Sequence, residues 1–141
     1  TPDKEGIHKL RLLATELLQP IRDCLSAPLR ISSGYRSESL NKAIGGSNKS
    51  QHSKCEAVDL QFFKRGSMDN MKIFNAIINH AIEFDQIILE FGGATADRDS
   101  DYPDWIHVSW KITGNRRQIL VAYKDENNKT KYRPKKNYYS V

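Results

Sequence analysis

The sequence has few cysteines and no long apolar segment. Its two cysteines, Cys24 and Cys55, are too few for a disulfide scaffold and lack the CxxC spacing of a thiolate zinc site. No apolar run approaches the ~20 residues that a membrane helix needs, so we expect no membrane association through a spanning segment. The stretch from Thr1 to Lys9 is charged and has no apolar core of signal-peptide length, so it does not predict export by the general secretory route.

The composition indicates one folded domain with a moderately basic surface. The chain has 141 residues, of which 38% are hydrophobic, and this is enough to build a single core over residues 1–141. Lys and Arg number 22 against 17 Asp and Glu, giving a formal charge of +5. That charge suits an anionic neighbour such as a cell-wall polymer, but on a domain of this size it is typical of a solvated surface. We therefore expect no specific nucleic-acid partner. We also expect a monomer.

The spacing of apolar residues predicts alternating helices and strands. Helices are predicted over Lys4–Leu25, with an interruption at Pro20, over Ser37–Ile44 and over Ser67–Glu83. Strands are predicted over Leu29–Ser33, Ala57–Phe62, Phe84–Phe91, Trp105–Trp110, Arg117–Tyr123 and Lys131–Arg133. Residues 45–54 lack large apolar side chains and are predicted to form an exposed loop. This order favours an α+β fold with a small, largely antiparallel sheet.

Three potential metal ligands lie at the polar positions of this pattern. His52 is near the end of the exposed loop, and Asp59 follows on the polar face of the next strand. His107 lies on the polar face of the strand that contains Ile106 and Val108. Two imidazoles and one carboxylate form a zinc ligand set that leaves a fourth position for water. Taken alone, scattered residues of these types are more often ordinary polar positions on solvated strand faces.

Asp104 adds a second kind of chemistry near His107. It precedes His107 by three residues, beside Pro103 at the start of the strand, where the chain can still bend toward the site. A carboxylate that does not bind the metal is the group that metal-assisted hydrolysis needs to accept and return a proton. The alternative is a simple turn residue in an acidic loop.

These residues occur within motifs that resemble a known family. The stretches ISSGYRSESLNKAIGGSNKSQHSKCEAVDL and DWIHVSW are similar to the zinc D-Ala-D-Ala carboxypeptidases, a family that also contains the L-alanyl-D-glutamate endolysins of bacteriophages. The family pattern Ser-x-His followed by Ala-x-Asp corresponds to Ser50–His52 and Ala57–Asp59. The pattern of an acidic residue, two further residues and then His corresponds to Asp104 and His107. Cys55 departs from the family, which usually has glycine there.

The resemblance implies roles for these residues. His52, Asp59 and His107 would bind Zn²⁺, and Asp104 would be the catalytic base. Arg36 matches the family arginine that holds a substrate carboxylate, a role that suits its bidentate guanidinium. Two neighbours of the first ligand, Ser50 and Gln51, are candidates for substrate binding or for closing the loop.

The resemblance also implies the fold and the substrate. The expected fold is that of the hedgehog and D-Ala-D-Ala peptidase proteins, with helices on one face of a small sheet and zinc on the other. The expected function is a metallopeptidase that cleaves a peptide bond of peptidoglycan, either as a D,D-carboxypeptidase or endopeptidase or as an L-Ala-D-Glu endopeptidase. It would act on the bacterial cell wall, as a phage or prophage lytic enzyme or a bacterial hydrolase.

Two alternatives remain open at the level of sequence. The chain is also compatible with a non-catalytic, hedgehog-like relative that keeps a structural zinc and binds the cell wall or a protein. Asp104 and Arg36 argue against it, because a structural site needs neither. Glu90, at the end of its predicted strand, is compatible with a role beside the site or with a purely structural one.

Overall fold

A computed structural model describes residues 4–33 and 57–136. The helical part consists of α1 (Lys4–Leu13), a π-helical turn (Ala14–Leu18), α2 (Gln19–Leu25) and α3 (Met71–Asn79). The strands are β1 (Arg30–Ser33), β2 (Ala57–Gln61), β3 (Phe63–Lys64), β4 (Ser67–Met68), β5 (Gln86–Glu90), β6 (Trp105–Ser109), β7 (Gln118–Lys124) and β8 (Thr130–Pro134).

Six of the strands form one mostly antiparallel sheet in the order β1-β2-β6-β5-β7-β8. Neighbouring strands are antiparallel except β5 and β7, which run parallel. The remaining pair, β3 and β4, forms a small separate hairpin. The α+β class and the largely antiparallel sheet are as the sequence predicts. The parallel pairing of β5 with β7 is not predicted by the sequence.

The core lies between one face of the sheet and the helices. Alternate residues of the central strands point into it, while the intervening residues point to the opposite face. The core includes the sheet residues Val58, Leu60, Ile87, Leu89, Ile106, Val108 and Val121 and the helical residues Leu13, Leu17, Ile21, Ile73, Phe74 and Ile77. The helices therefore cover one face, and the face with Asp59 and His107 is the other.

The predicted N-terminal helix is interrupted earlier than expected. The α-helical hydrogen bonding stops at Leu13, a π-helical turn follows over Ala14–Leu18, and Pro20 lies in the first turn of α2. Proline has no N–H and its ring clashes with the carbonyl four residues earlier. A wider turn before Pro20 accommodates both effects, so the irregularity lies before the proline and not at it.

The predicted helix over Ser67–Glu83 is wrong at both ends. Ser67 and Met68 form strand β4, which pairs with β3 across Arg65 and Gly66. Both turn residues have positive φ, at 54° and 78°, as two-residue hairpin turns require. Helix α3 ends at Asn79, and Ala81 adopts a left-handed conformation just beyond it. Gly66 is the local signal for this hairpin.

The C-terminal strands lie close to their predicted positions. The predicted turn over Asp125–Lys129 is confirmed, because the backbone N–H of Asp125 donates to the carbonyl of Lys129 at 2.9 Å. The Asp125 carboxylate also accepts the backbone N–H groups of Asn127 and Lys129. Strand β8 is an edge of the sheet, as expected for the basic last strand. The predicted helix over Ser37–Ile44 and the loop over 45–54 lie outside the described residues.

Candidate active site

Asp59 and His107 are direct cross-strand partners on the open face of the sheet. Strands β2 and β6 pair antiparallel with Asp59 opposite His107. Asp59 Oδ1 lies 3.1 Å from His107 Nδ1, and the two side chains are 15% and 12% exposed. Their neighbours Val58, Leu60 and Ile106 enter the core, which fixes the face that the polar pair occupies. A carboxylate oxygen and an imidazole nitrogen thus lie next to each other at a mostly buried position that solvent still reaches.

Asp104 lies immediately before β6, with its side chain exposed and its backbone held on several sides. Its N–H donates to the carbonyl of Glu90 at 2.8 Å. Its own carbonyl accepts hydrogen bonds from Gln61 Nε2 and Asn70 Nδ2, both at 3.0 Å. The peptide unit is therefore fixed while the carboxylate faces solvent, an arrangement suited to a group that exchanges protons.

Asn70 is a site-organising residue that the sequence does not reveal. It is 1% exposed and precedes α3, where an asparagine would ordinarily cap the helix with its side chain. Instead, Oδ1 accepts the N–H of Phe62 at 2.8 Å, and Nδ2 donates to the carbonyl of Pro103 at 2.8 Å as well as to that of Asp104. Asn70 thereby ties the end of β2 to the turn that presents Asp104.

In the loop between β5 and Asp104, the end of the loop packs against its start at Gly92. Ser100 Oγ donates to the carbonyl of Gly92 at 2.6 Å and accepts the N–H of Tyr102 at 2.9 Å. Gly92 has a φ of +63°, and a Cβ there would overlap the Tyr102 carbonyl. Only glycine meets both demands, so Gly92 keeps the loop against the Asp104 turn.

Glu90, the last residue of β5, lies buried on the same face. It is 7% exposed, and its Oε2 has no hydrogen-bond partner in the part of the chain that is described. Burial raises the pKa of its carboxyl to about 7, and the nearby Asp59 carboxylate adds to this shift. The pKa of Tyr132 is also raised, first by burial and second by the charge of Glu90.

The remaining predicted site residues lie outside the described residues: Arg36, Ser50, Gln51 and His52, together with Cys55. Within residues 4–33 and 57–136, no group of three or more His, Cys, Asp or Glu side chains is arranged to hold a metal ion. Among the described residues, the sheet face opposite the helices therefore contributes two potential metal ligands, Asp59 and His107. In the same ranges, no helix combines the length and apolar character needed to cross a membrane.

Comparison with known proteins gives one family. Residues 2–95 match the model of the family described as Peptidase M15, which is about two thirds of the chain. The match confirms the resemblance drawn from the motifs. It includes Asp59 and Glu90 but ends before Asp104 and His107, so the pairing of β2 with β6 is independent support for placing His107 at the site. A search of curated proteins finds none that matches the chain.

Proposed function

The chain belongs to the Peptidase M15 family, and we propose that it is a zinc-dependent peptidase that hydrolyses a peptide bond of peptidoglycan. The observation that carries the proposal is the convergence of Asp59 Oδ1 and His107 Nδ1 at 3.1 Å on the face of the sheet opposite the helices. Family membership supports peptidase chemistry, and the position of this pair supports its assignment to this face of the sheet.

The pair fits a zinc ion in both chemistry and spacing. Zinc binds histidine nitrogen and carboxylate oxygen at about 2.0–2.1 Å, so two ligand atoms of a tetrahedral site lie roughly 3.3 Å apart. The 3.1 Å separation between Asp59 Oδ1 and His107 Nδ1 is close to that value. The family resemblance assigns His52 as the third ligand. Three protein ligands leave one position open, which distinguishes a catalytic zinc site from a structural one.

Bound zinc would supply Lewis-acid chemistry, polarising the scissile carbonyl and making water a nucleophile at neutral pH. Asp104 would accept the proton of that water and transfer it to the leaving amine. Its anchored backbone and exposed carboxylate support this role, because the acid must keep its position while its proton is exchanged.

Substrate binding would involve residues that precede β2 in the sequence. Arg36 would pair with a substrate carboxylate through two parallel hydrogen bonds, as guanidinium groups do. Ser50 and Gln51 would bind the peptide beside the first ligand. The proposed substrates are the stem peptides or cross-links of peptidoglycan, cleaved at a D,D-bond or at the L-Ala-D-Glu bond.

We propose that residues 1–141 act as one domain and as a monomer at the bacterial cell wall, in a phage or prophage lytic enzyme or a bacterial cell-wall hydrolase. The formal charge of +5 would favour retention on an anionic wall, an effect that salt weakens.

The proposal is tested by mass spectrometry of purified muropeptides incubated with the zinc-loaded protein. Loss of the terminal D-Ala from monomeric pentapeptides reports D,D-carboxypeptidase activity, and conversion of cross-linked dimers to monomers reports D,D-endopeptidase activity. Release of a peptide that begins with D-Glu reports L-Ala-D-Glu cleavage. A chelator-treated sample and the Asp104→Asn variant are the two controls. We expect cleavage by the zinc-loaded, unsubstituted protein and by neither control.

Two results would contradict the proposal. Cleavage that survives complete removal of metal would exclude a zinc peptidase. No cleavage of any muropeptide, with one zinc bound for each chain, would favour the non-catalytic, structural-zinc alternative.

A further inference from the structure

Glu90 is a buried residue with one carboxyl oxygen, Oε2, that has no hydrogen-bond partner among the described residues. It is 7% exposed at the end of β5, and Oε2 makes no hydrogen bond within the described ranges. Leaving a buried acceptor unsatisfied is costly, and proteins keep such groups rarely. Unpaired, this oxygen costs folding free energy, so its burial beside the proposed site points to a bound ligand as its partner.

The sheet register places Glu90 beside the proposed catalytic residues. Ile88 lies opposite His107 and Glu90 lies opposite Trp105, so Glu90 and His107 are diagonal neighbours on one face. The backbone carbonyl of Glu90 also accepts the N–H of Asp104. A peptide bound between Asp104 and His107 would therefore pass close to the Glu90 carboxyl.

Glu90 does not complete the metal site formed by Asp59 and His107. In the described part of the chain, no third acidic, histidine or cysteine side chain joins these two at metal-binding distance. Glu90 nevertheless lies close enough to Asp59 for that carboxylate to raise its pKa. It is thus near the proposed metal ligands but separate from them, which is where substrate is expected.

The surroundings of Glu90 favour a positively charged partner. A buried carboxylate with an unpaired oxygen is costly to keep charged, and a bound cation that donates to Oε2 would offset that cost. Lys124 lies on the same face of β7, but its Nζ donates to Thr130 Oγ1 at 2.7 Å and lies over the Phe91 ring. Trp105 opposite Glu90, and Tyr132 two strands away, provide aromatic surface of the kind that binds amines.

We propose that Glu90 is a specificity-determining residue whose carboxylate binds a primary amino group of the peptide substrate. The inference rests on the proposed function, because it takes the substrate to be a peptide. The amine is either the side-chain amine of a diamino acid or a free α-amino group. Both offer an ammonium with three hydrogen-bond donors, which the unpartnered Oε2 can accept.

The test measures binding and does not depend on catalysis. Three peptides of one sequence are titrated calorimetrically into the zinc-loaded Asp104→Asn protein: one with only the side-chain amine free, one with only the α-amine free, and one with both acetylated. We expect one free-amine peptide to bind about tenfold more tightly than the acetylated one, the loss that removing one charged hydrogen bond produces. The arm that shows this preference identifies the source of the amine.

Glu90→Gln keeps the shape of the side chain and removes its charge, so it should reduce the preference to within about twofold. Glu90→Asp, which keeps the charge, should retain a preference in the same direction. Glu83 is an exposed glutamate outside the site, and Glu83→Gln is the matched control that leaves binding unchanged. Zinc content and the unfolding temperature of each variant show that the site and fold are intact.

The inference is overturned if the Asp104→Asn protein binds the free-amine and acetylated peptides equally or binds neither. It is also overturned if Glu90→Gln retains the full preference. The proposed function is judged separately: muropeptide cleavage without any amine preference leaves the peptidase standing and removes this role of Glu90. An amine preference without muropeptide cleavage keeps the binding role of Glu90 and contradicts the proposed peptidase activity.

Discussion

Asp59 and His107 face each other across the β2–β6 strand pair, with Oδ1 of one 3.1 Å from Nδ1 of the other. The two residues are 48 positions apart in sequence and are brought together only by the pairing of these strands. Ser33 of β1 lies on the far side of Asp59, and Ile88 of β5 on the far side of His107. The pair is therefore in the interior of the sheet, where strand pairing limits its movement.

This rigid pair leads to a prediction about metal binding. Asp59→Ala and His107→Ala should each weaken zinc binding by at least about 100-fold, because even a residue that only orients a ligand contributes 10–100-fold. Metal content after dialysis, measured by mass spectrometry, checks this. His8 is exposed on α1, and His8→Ala is the control that retains one zinc. Normal zinc content in Asp59→Ala would exclude Asp59 as a ligand.

Asp104 should affect catalysis without affecting metal content. Asp104→Asn removes the proton acceptor and should lower kcat/KM by roughly 10²–10⁴-fold, the usual contribution of a general base. Because the backbone N–H and carbonyl of residue 104 make its anchoring contacts, the variant should fold normally. Asp101→Asn, at an exposed position in the same loop, should behave as the unsubstituted protein. Activity within a few-fold of normal in Asp104→Asn would require a different base.

Asn70 offers a test of how the Asp104 turn is positioned. Asn70→Asp keeps the acceptor for the Phe62 N–H but loses the donor to the carbonyls of Pro103 and Asp104. We expect kcat to fall with little change in KM, and the unfolding free energy to fall by about 1–3 kcal/mol. Kinetics measured well below the unfolding temperature separate the two effects.

The matched control for Asn70 is Asn75→Asp on the exposed side of α3, which should leave kcat unchanged and the unfolding free energy within about 0.5 kcal/mol. A purely structural role of Asn70 would lower stability and leave kcat of the folded protein unchanged. That result would remove Asn70 from the positioning of Asp104.

Arg36 should control recognition of a substrate carboxylate. Arg36→Lys keeps the charge but loses the bidentate geometry, so KM should rise by about tenfold or more for a peptide with a free carboxylate. For the corresponding peptide amide, the substitution should have little effect. Steady-state kinetics with the two peptides checks this, and an equal effect on both would show that Arg36 does not bind that carboxylate.

The parts of the site that depend on local patterns could be predicted from the sequence. Strict alternation of apolar residues around Asp59 and His107 sets the face on which each lies, and the family resemblance joins the two strands. The Asn70 contacts could not be predicted, because they join positions 8, 33 and 34 residues apart through loop geometry. The β3–β4 hairpin could not be predicted from periodicity, because its strands have only two residues each; Gly66 is its one local signal.

Asp85 gives a prediction about acid stability that is independent of the site. Its side chain is fully buried, and Arg116 donates to it from Nε, Nη2 and the backbone N–H at 2.9–3.0 Å. Burial alone would raise the pKa of Asp85, but these hydrogen bonds outweigh it and lower the pKa from 3.8 to about 2. Because the folded pKa lies below the unfolded value, the carboxylate stabilises the fold fully above pH ~5 and loses this contribution progressively as the pH falls toward 2.

The size of the Asp85 shift corresponds to about 2 kcal/mol of unfolding free energy. Urea unfolding of the metal-free protein and of Asp85→Asn between pH 2.5 and 7 checks it. The stability difference between the two should be constant above pH ~5 and should shrink progressively below pH ~4. Glu126→Gln, at an exposed position, should show no such pH dependence. A difference that stays constant down to pH 2.5 would mean that Arg116 does not hold the charged form of Asp85 preferentially, and that the pair contributes through packing alone.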